Sequence, residues 1–220
     1  MGQENELVAS WSLNALRWQG VVDEGRLASR LRVTNRAILE AVLSRPHSRL
    51  LDLGCGEGWL ARELQRHGCQ VVGCDVSPEL IERARSLSSG EFVVAGYEDL
   101  AEALKGRRFE AVVANFSLLG QSSVEAALGH VARLLEPQGR LWIQTLHPLT
   151  LPPPYVDGWR SEDWRSLDPE GWVAMPWYFR TLESWWRLLE ECGFQLVGLR
   201  EPRAEGDPNP SSLLLELRPG

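Results

Sequence analysis

The stretch Arg49-Leu50-Leu51-Asp52-Leu53-Gly54-Cys55-Gly56-Glu57-Gly58 restricts the fold more than any other part of the chain. It begins as an apolar run and ends in three glycines at alternate positions. That is how a buried parallel strand passes through a tight turn into the N-terminus of a helix. Glycines in such a turn admit strained backbone angles and let a ligand approach the main chain. A strand of this kind needs parallel neighbours and helices over both faces of the sheet.

The sequence after it supplies them. Glu57 to His67 reads as a helix ended by Gly68, with Leu60 and Leu64 four residues apart. Gln70 to Asp75 is a second buried strand that ends in an acid. Ser77-Pro78-Glu79 then opens a helix with a serine cap, proline at the first position and an acid favoured by the dipole. Glu91 to Ala95 and Ala111 to Ala114 are further strands, and Ser122-Ser123-Val124-Glu125 has the form of a capping box. Glu136-Pro137-Gln138-Gly139 suits a type I turn before a fifth strand, Arg140 to Thr145. After a helix from Thr181 to Gly193, Phe194–Leu199 and Ser212–Leu217 complete the set as an antiparallel edge. The fold class is α/β, a doubly wound sheet with ligands bound at the carboxyl ends of its strands.

Two segments flank this core. Residues 1–45 are helical, opening on an amphipathic face of Trp11, Leu16 and Trp18 and ended by Pro46, and the expectation is a helical lid before a cofactor-binding core of 46–146. From 147 to 180 the strand–helix pattern breaks at Pro152-Pro153-Pro154-Tyr155, and Asp157-Gly158-Trp159-Arg160 looks like a turn. Six of the ten tryptophans lie between 159 and 186, so the segment is too aromatic for disorder and is expected to form an acceptor-side insertion. Residues 181–220 close a single domain, a size suited to one core.

Composition narrows the function. A net charge of -7 argues against nucleic acid as the main partner, because phosphate binding needs a basic face. No segment is long and apolar enough for a signal or a membrane span. The four cysteines show no CxxC pairing and read as reduced thiols in a cytoplasmic protein, without a metal site.

The glycine turn is a poor dinucleotide turn. In G-x-G-x-x-G the third glycine would stand where Trp59 stands, and Gly58 comes one residue early. Asp52 discriminates further: an acid facing a pyrophosphate is repelled, whereas one facing an ammonium is attracted. Asp75, at the end of the second strand, is placed to take both hydroxyls of a ribose.

Leu50 to Gly58, followed by Val72-Gly73-Cys74-Asp75-Val76-Ser77-Pro78, resembles the class I S-adenosylmethionine-dependent methyltransferases over about residues 40 to 146. The resemblance implies a Rossmann-like seven-stranded sheet with a reversed last strand, and S-adenosylmethionine as cofactor. By similarity, Asp52, Gly54, Cys55 and Gly56 contact its methionine part, Asp75 with Val76 the ribose, and Asn115, Phe116 and Ser117 line the methionine side. Many members carry an acid directly after the third strand for the adenine amino group; here that position is Gly96, which leaves Tyr97, Glu98 or a backbone carbonyl for the task.

A sulfonium methyl needs an aligned nucleophile and exclusion of water. His147, at the end of the fifth strand, is the candidate general base. Tyr155, Trp159, Trp177 and Tyr178 are candidates to stack on a small-molecule acceptor, and Arg180 to hold an anionic group of it. The competing readings are an NAD-dependent oxidoreductase and a non-catalytic module of the same fold.

Overall fold

The computed structural model describes residues 2–164, 167 and 171–220. Helix α1 (Gln3–Asp23) precedes a π-helical turn, Arg30–Thr34, that runs directly into α2 (Asn35–Leu43). The alternating core follows: β1 (Arg49–Leu53), α3 (Trp59–Arg66), β2 (Gln70–Asp75), α4 (Pro78–Leu87) and β3 (Glu91–Val94). A 3-10 turn, Tyr97–Asp99, leads to α5 (Leu100–Ala103), β4 (Phe109–Asn115), α6 (Ser122–Leu134) and β5 (Leu135–Thr145). Then come β6 (Gly158–Glu162), β7 (Met175–Phe179), α7 (Leu182–Glu191), β8 (Phe194–Arg200) and β9 (Leu213–Pro219).

Seven strands form one sheet in the order β3-β2-β1-β4-β5-β9-β8. The first five are parallel, and β9 is antiparallel to both its neighbours, which makes the last strand the reversed one. The order turns back at β1, between β2 and β4, and so places a crevice at the carboxyl ends of those strands.

Both faces are apolar because both are covered. Leu50, Val71, Ala111, Val113 and Trp142 pack with Ile38, Leu60 and Ile81 of α2, α3 and α4. Leu51, Leu53, Val112, Leu141 and Ile143 pack with Val124, Leu128 and Val131 of α6 and with Trp185 of α7. Strand side chains alternate, so Asp52 lies on the same face as Leu50, beneath α3.

Four sequence expectations are corrected. Residues 136–139 lie within β5 as an irregularity, with Phe109 opposite Leu135 and Ala111 opposite Arg140, in place of a turn before the strand. Asp157-Gly158-Trp159-Arg160 enters a strand, and β6 and β7 pair as a separate two-stranded ribbon. Between them, residues 165, 166 and 168–170 of the expected acceptor-side insertion lie outside the described residues, as does Met1 of the expected lid. Leu16 faces solvent on α1, where Leu7, Ala15 and Val21 face inward.

The fourth correction concerns α6. No side chain of its own caps it. Glu4 of α1 does so from across the fold: its carboxylate accepts from the amides of Gln121 (2.7 Å) and Ser123 (3.4 Å) and from the hydroxyls of Ser122 (3.2 Å) and Ser123 (2.8 Å). Asn14, further along α1, clasps Val173, donating to its carbonyl at 2.8 Å and accepting from its amide at 2.9 Å. These bonds lay α1 against β7 and the start of α6.

Candidate functional site

The glycine turn takes the form its residues require. Gly54, Gly56 and Gly58 all have positive φ, at 71°, 56° and 79°. Their surroundings differ. A Cβ on Gly54 would collide with Ser117 and lie 2.8 Å from the Tyr97 hydroxyl, and one on Gly58 would meet the Phe92 ring at 2.9 Å. A Cβ on Gly56 would have nothing within 4 Å. Two glycines let the protein pack onto the turn. The third leaves open space above it.

Asp75 closes the turn from β2. Its carboxylate accepts from the Gly56 amide (2.9 Å) and the Ser77 amide (2.9 Å), one bond on each oxygen, and the Val76 amide adds a further one. Each oxygen keeps acceptor capacity, since a carboxylate has about four lone-pair sites. Burial raises the Asp75 pKa above the usual carboxylate range, against the pull of these amides.

Asp52 is 2 % exposed. Burial, and then the charges of Glu57 and Asp75, push its pKa up to about 7, while a hydrogen bond from the Ala61 amide in the first turn of α3 works against the rise. Its Oδ2 has no hydrogen-bond partner among the described residues. Glu57 is equally buried, and Arg62 holds it, with Nη1 on the Glu57 carbonyl (2.5 Å) and Nη2 3.4 Å from its carboxylate. Burial raises the Glu57 pKa; the charges of Arg30 and Arg62 lower it.

No sequence motif marks Arg30. Its guanidinium lies over Trp59 at 5.0 Å and Trp18 at 5.9 Å, with Nε donating to Asn35 Oδ1 at 3.3 Å. Its terminal nitrogens make no hydrogen bond among the described residues, and burial lowers its pKa against the pull of Glu57. The signal that could have found it is electrostatic: three acids around one turn require cations near by.

Residues after β4 form the opposite wall. Ser117 donates from Oγ to the Leu53 carbonyl at 2.6 Å, and the Tyr97 hydroxyl donates to the Ser117 carbonyl at 2.9 Å. Between them Phe116 holds φ 54°, an uncommon angle for a residue with a side chain. These bonds bring Gly54, Tyr97 and Ser117 together. Cys55 and Cys74 are buried beneath the turn, and burial pushes the Cys74 thiol up to about 12. Val76 is half-buried, and Glu98 is exposed on the 3-10 turn.

The chain matches the family model described as "Methyltransferase domain" over residues 26–199. It belongs to the methyltransferase domain family. Similar proteins include a ubiquinone biosynthesis O-methyltransferase of Xanthomonas axonopodis pv. citri, 39% identical over 105 residues, which are 46% of this chain and 44% of that protein. The matched region thus spans less than half the length of that relative. Among solved structures, an S-adenosylmethionine-dependent methyltransferase from Mesorhizobium loti superposes with a TM-score of 0.65 at 24% identity, over 83% of this chain and 96% of the other. The glycopeptide N-methyltransferase MtfA complexed with S-adenosylmethionine superposes at 0.67 with 16% identity, over 85% and 94%.

In this methyltransferase domain the other expected residues follow β5. His147 is 2 % exposed, and its Nε2 lies 2.8 Å from Oε1 of Glu201, just beyond β8. A carboxylate accepts, so Nε2 carries the proton in the neutral ring, and Nδ1 keeps a lone pair with no partner among the described residues.

The aromatic residues divide over the ribbon. Trp159 pairs with Tyr178, and Arg160 with Trp177, so Trp159 and Tyr178 share one face and Trp177 the other. Tyr155 packs on Phe179, and its hydroxyl accepts from the Leu182 amide at 2.9 Å, at the start of α7. Arg180 meets its expected role differently. It is 5 % exposed, and its guanidinium donates to the carbonyls of Gly120 (2.7 Å) and Gln121 (2.9 Å). Those bonds give its fork a structural task.

No helix among the described residues is long and apolar enough to cross a membrane. All four cysteines are free, and no group of three or more potential metal ligands occurs among the described residues.

Proposed function

We propose that this member of the methyltransferase domain family transfers the methyl group of S-adenosylmethionine to a small-molecule acceptor, as one domain of residues 1–220. In this reading residues 1–45 form a lid, 46–146 the cofactor core, 147–180 the acceptor side, and 181–220 the closing helix and strands. The observation that carries it is the buried, half-partnered Asp52, with open space at Gly56 of the turn that follows it. A buried carboxylate with a free oxygen calls for a cation, and an amino-acid ammonium supplies one. The same residues fit a nicotinamide dinucleotide badly, because its pyrophosphate would meet Asp52, Glu57 and Asp75 together.

Bound S-adenosylmethionine supplies a methyl group that its sulfonium makes electrophilic. Asp75 takes the ribose hydroxyls on its remaining lone pairs, and Val76, Tyr97 and Glu98 border the adenine. Arg30, a cation with an unpartnered fork beside the turn, meets the methionine carboxylate. Ser117 and Phe116 hold the methionine side against Gly54. The aromatic ribbon, with Trp159 and Tyr178 on one face and Trp177 on the other, contributes the acceptor side together with Tyr155. His147 removes a proton at Nδ1 from an acceptor hydroxyl or ammonium, with Glu201 holding the ring in the tautomer required. The four free thiols fit a reducing, cytoplasmic setting.

Calorimetric titration with S-adenosylhomocysteine and with NADH tests the reading. Heat with the first is expected. Heat with NADH alone would overturn it, and binding without turnover across acceptor classes would favour a non-catalytic module.

A further inference from the structure

Gln144 is 1 % exposed and uses its whole amide. It stands on β5 directly opposite Asn115 of β4. Its Nε2 donates to the Thr34 carbonyl at 3.0 Å and to Asn115 Oδ1 at 2.7 Å, and its Oε1 accepts from the Ser212 hydroxyl at 3.3 Å. Thr34 belongs to the π-helical turn and Ser212 directly precedes β9, so one side chain joins four parts of the fold.

The order of these bonds fixes which way Asn115 faces. A main-chain carbonyl only accepts, so the Gln144 atom on Thr34 is its nitrogen. The second hydrogen of that nitrogen must then meet an acceptor, and the Asn115 atom facing Gln144 is its oxygen. The Asn115 NH2 is left pointing elsewhere. It makes no hydrogen bond among the described residues, and the residue is half-buried at the carboxyl end of β4.

We infer that Gln144 is a positioning residue that turns the Asn115 NH2, and not its carbonyl, toward the methionine end of the cofactor, where it donates to the α-carboxylate. The inference rests on the assignment of Asp52 and Asn115 to the cofactor given above. Ammonium and carboxylate share one carbon. With the ammonium toward Asp52, the carboxylate must turn from Asp52, Glu57 and Asp75, which cluster at the ends of β1 and β2. Asn115, on β4 across the crevice, offers a donor there, and Arg30 stands on the same turn that Gln144 ties down through Thr34. A carbonyl in that place would repel the carboxylate.

The test compares S-adenosylhomocysteine with 5'-methylthioadenosine, which keeps the adenosine and thioether but has no carboxylate. Asn115→Asp keeps the bond to Gln144 and replaces the free NH2 by an anionic oxygen. It should weaken S-adenosylhomocysteine at least about tenfold and leave methylthioadenosine within about twofold. Gln144→Met, or Gln144→Glu should the first not fold, removes the donors and should weaken S-adenosylhomocysteine about threefold or more, again without touching methylthioadenosine. Equal losses for both ligands would mean a purely structural role and overturn the inference. A loss in Asn115→Asp with none in the Gln144 variants would remove Gln144 from it. Wild-type binding that neither substitution alters would take Asn115 off the carboxylate while leaving the cofactor reading intact; no wild-type binding would sink that reading itself.

Discussion

Replacing Asp52 by Asn should make the ligand-free protein more stable and worse at holding its cofactor. The carboxyl has a folded pKa of about 7 against an ordinary 3.8, raised first by burial and then by Glu57 and Asp75. Below about pH 4 both folded and unfolded chains hold the proton. Between 4 and 7 only the folded chain does, so stability falls as pH rises through that window. Above it the folded state carries an ionised group at a cost of about 4 kcal/mol. The Asp52→Asn variant avoids that cost but leaves a buried NH2 without an acceptor, which returns about 1–3 kcal/mol. A net gain of about 1–3 kcal/mol remains at pH 8, or about 3–9 °C in Tm for a chain of this size. At pH 5 the gain should vanish, because only about 1–2 kcal/mol of that cost has then accrued and the unpartnered NH2 offsets it. Affinity for S-adenosylhomocysteine should drop about tenfold or more with the charge-assisted bond gone. In the wild type, binding should release a proton near pH 7, read by calorimetry in buffers of different ionisation enthalpy. A variant whose Tm at pH 8 is unchanged or lower, or that binds as well as wild type, would refute the argument.

Three further substitutions separate the parts of the site. Gly56→Ala meets no atom in the free protein, so it should cost only the strain of its positive φ, about 1–2 kcal/mol, while its methyl blocks the cofactor; retained affinity would show that the space above Gly56 is not the cofactor's. Glu4→Gln should lower stability by about 1 kcal/mol through the weakened cap of α6. Burial alone would raise the Glu4 pKa, but bonds from Ser123, Gln121 and Ser122 bring it below 4.5, so its contribution is complete above that pH and disappears as pH falls through the folded value. Melting curves that stay parallel for wild type and variant from pH 7 to pH 3 would contradict that. His147→Ala should reduce turnover by about 10²-fold or more with S-adenosylhomocysteine binding unchanged, and unaltered turnover would exclude the base.

The sheet could be read from the sequence because its strands are short apolar runs bounded by glycine, proline and acids. Residues 50–53 and 71–74 read this way. The ribbon could not. Gly-Trp-Arg-Ser-Glu has no apolar alternation, and its partner Met-Pro-Trp-Tyr-Phe lies more than ten residues on, with the pairing set by tertiary contacts such as the Tyr178 amide on the Leu119 carbonyl. Asp52, Gly56 and Asp75 were legible because residue type and strand position alone bring them to the crevice. Arg30 and Gln144 were not, because each matters through partners far off in sequence: Glu57 and Trp59 for one, Thr34, Asn115 and Ser212 for the other. The capping box misled for a related reason. Ser122 and Glu125 have the right spacing, yet the α6 amides found a stronger acceptor in Glu4, 117 residues before Gln121.

That distance bears on the order in which the molecule is made. Helix α1 leaves the ribosome well before the residues that fasten it, since Glu4 needs 121–123 and Asn14 needs Val173. Until those residues emerge its partner among the elements made so far is α4, where Arg83 pairs with Asp23. The bonds from Gln121 and Val173 can therefore close only after β1 to β4 have been made. A helix made before the sheet is thus fastened after it, and the same late bonds can be undone without unfolding the sheet.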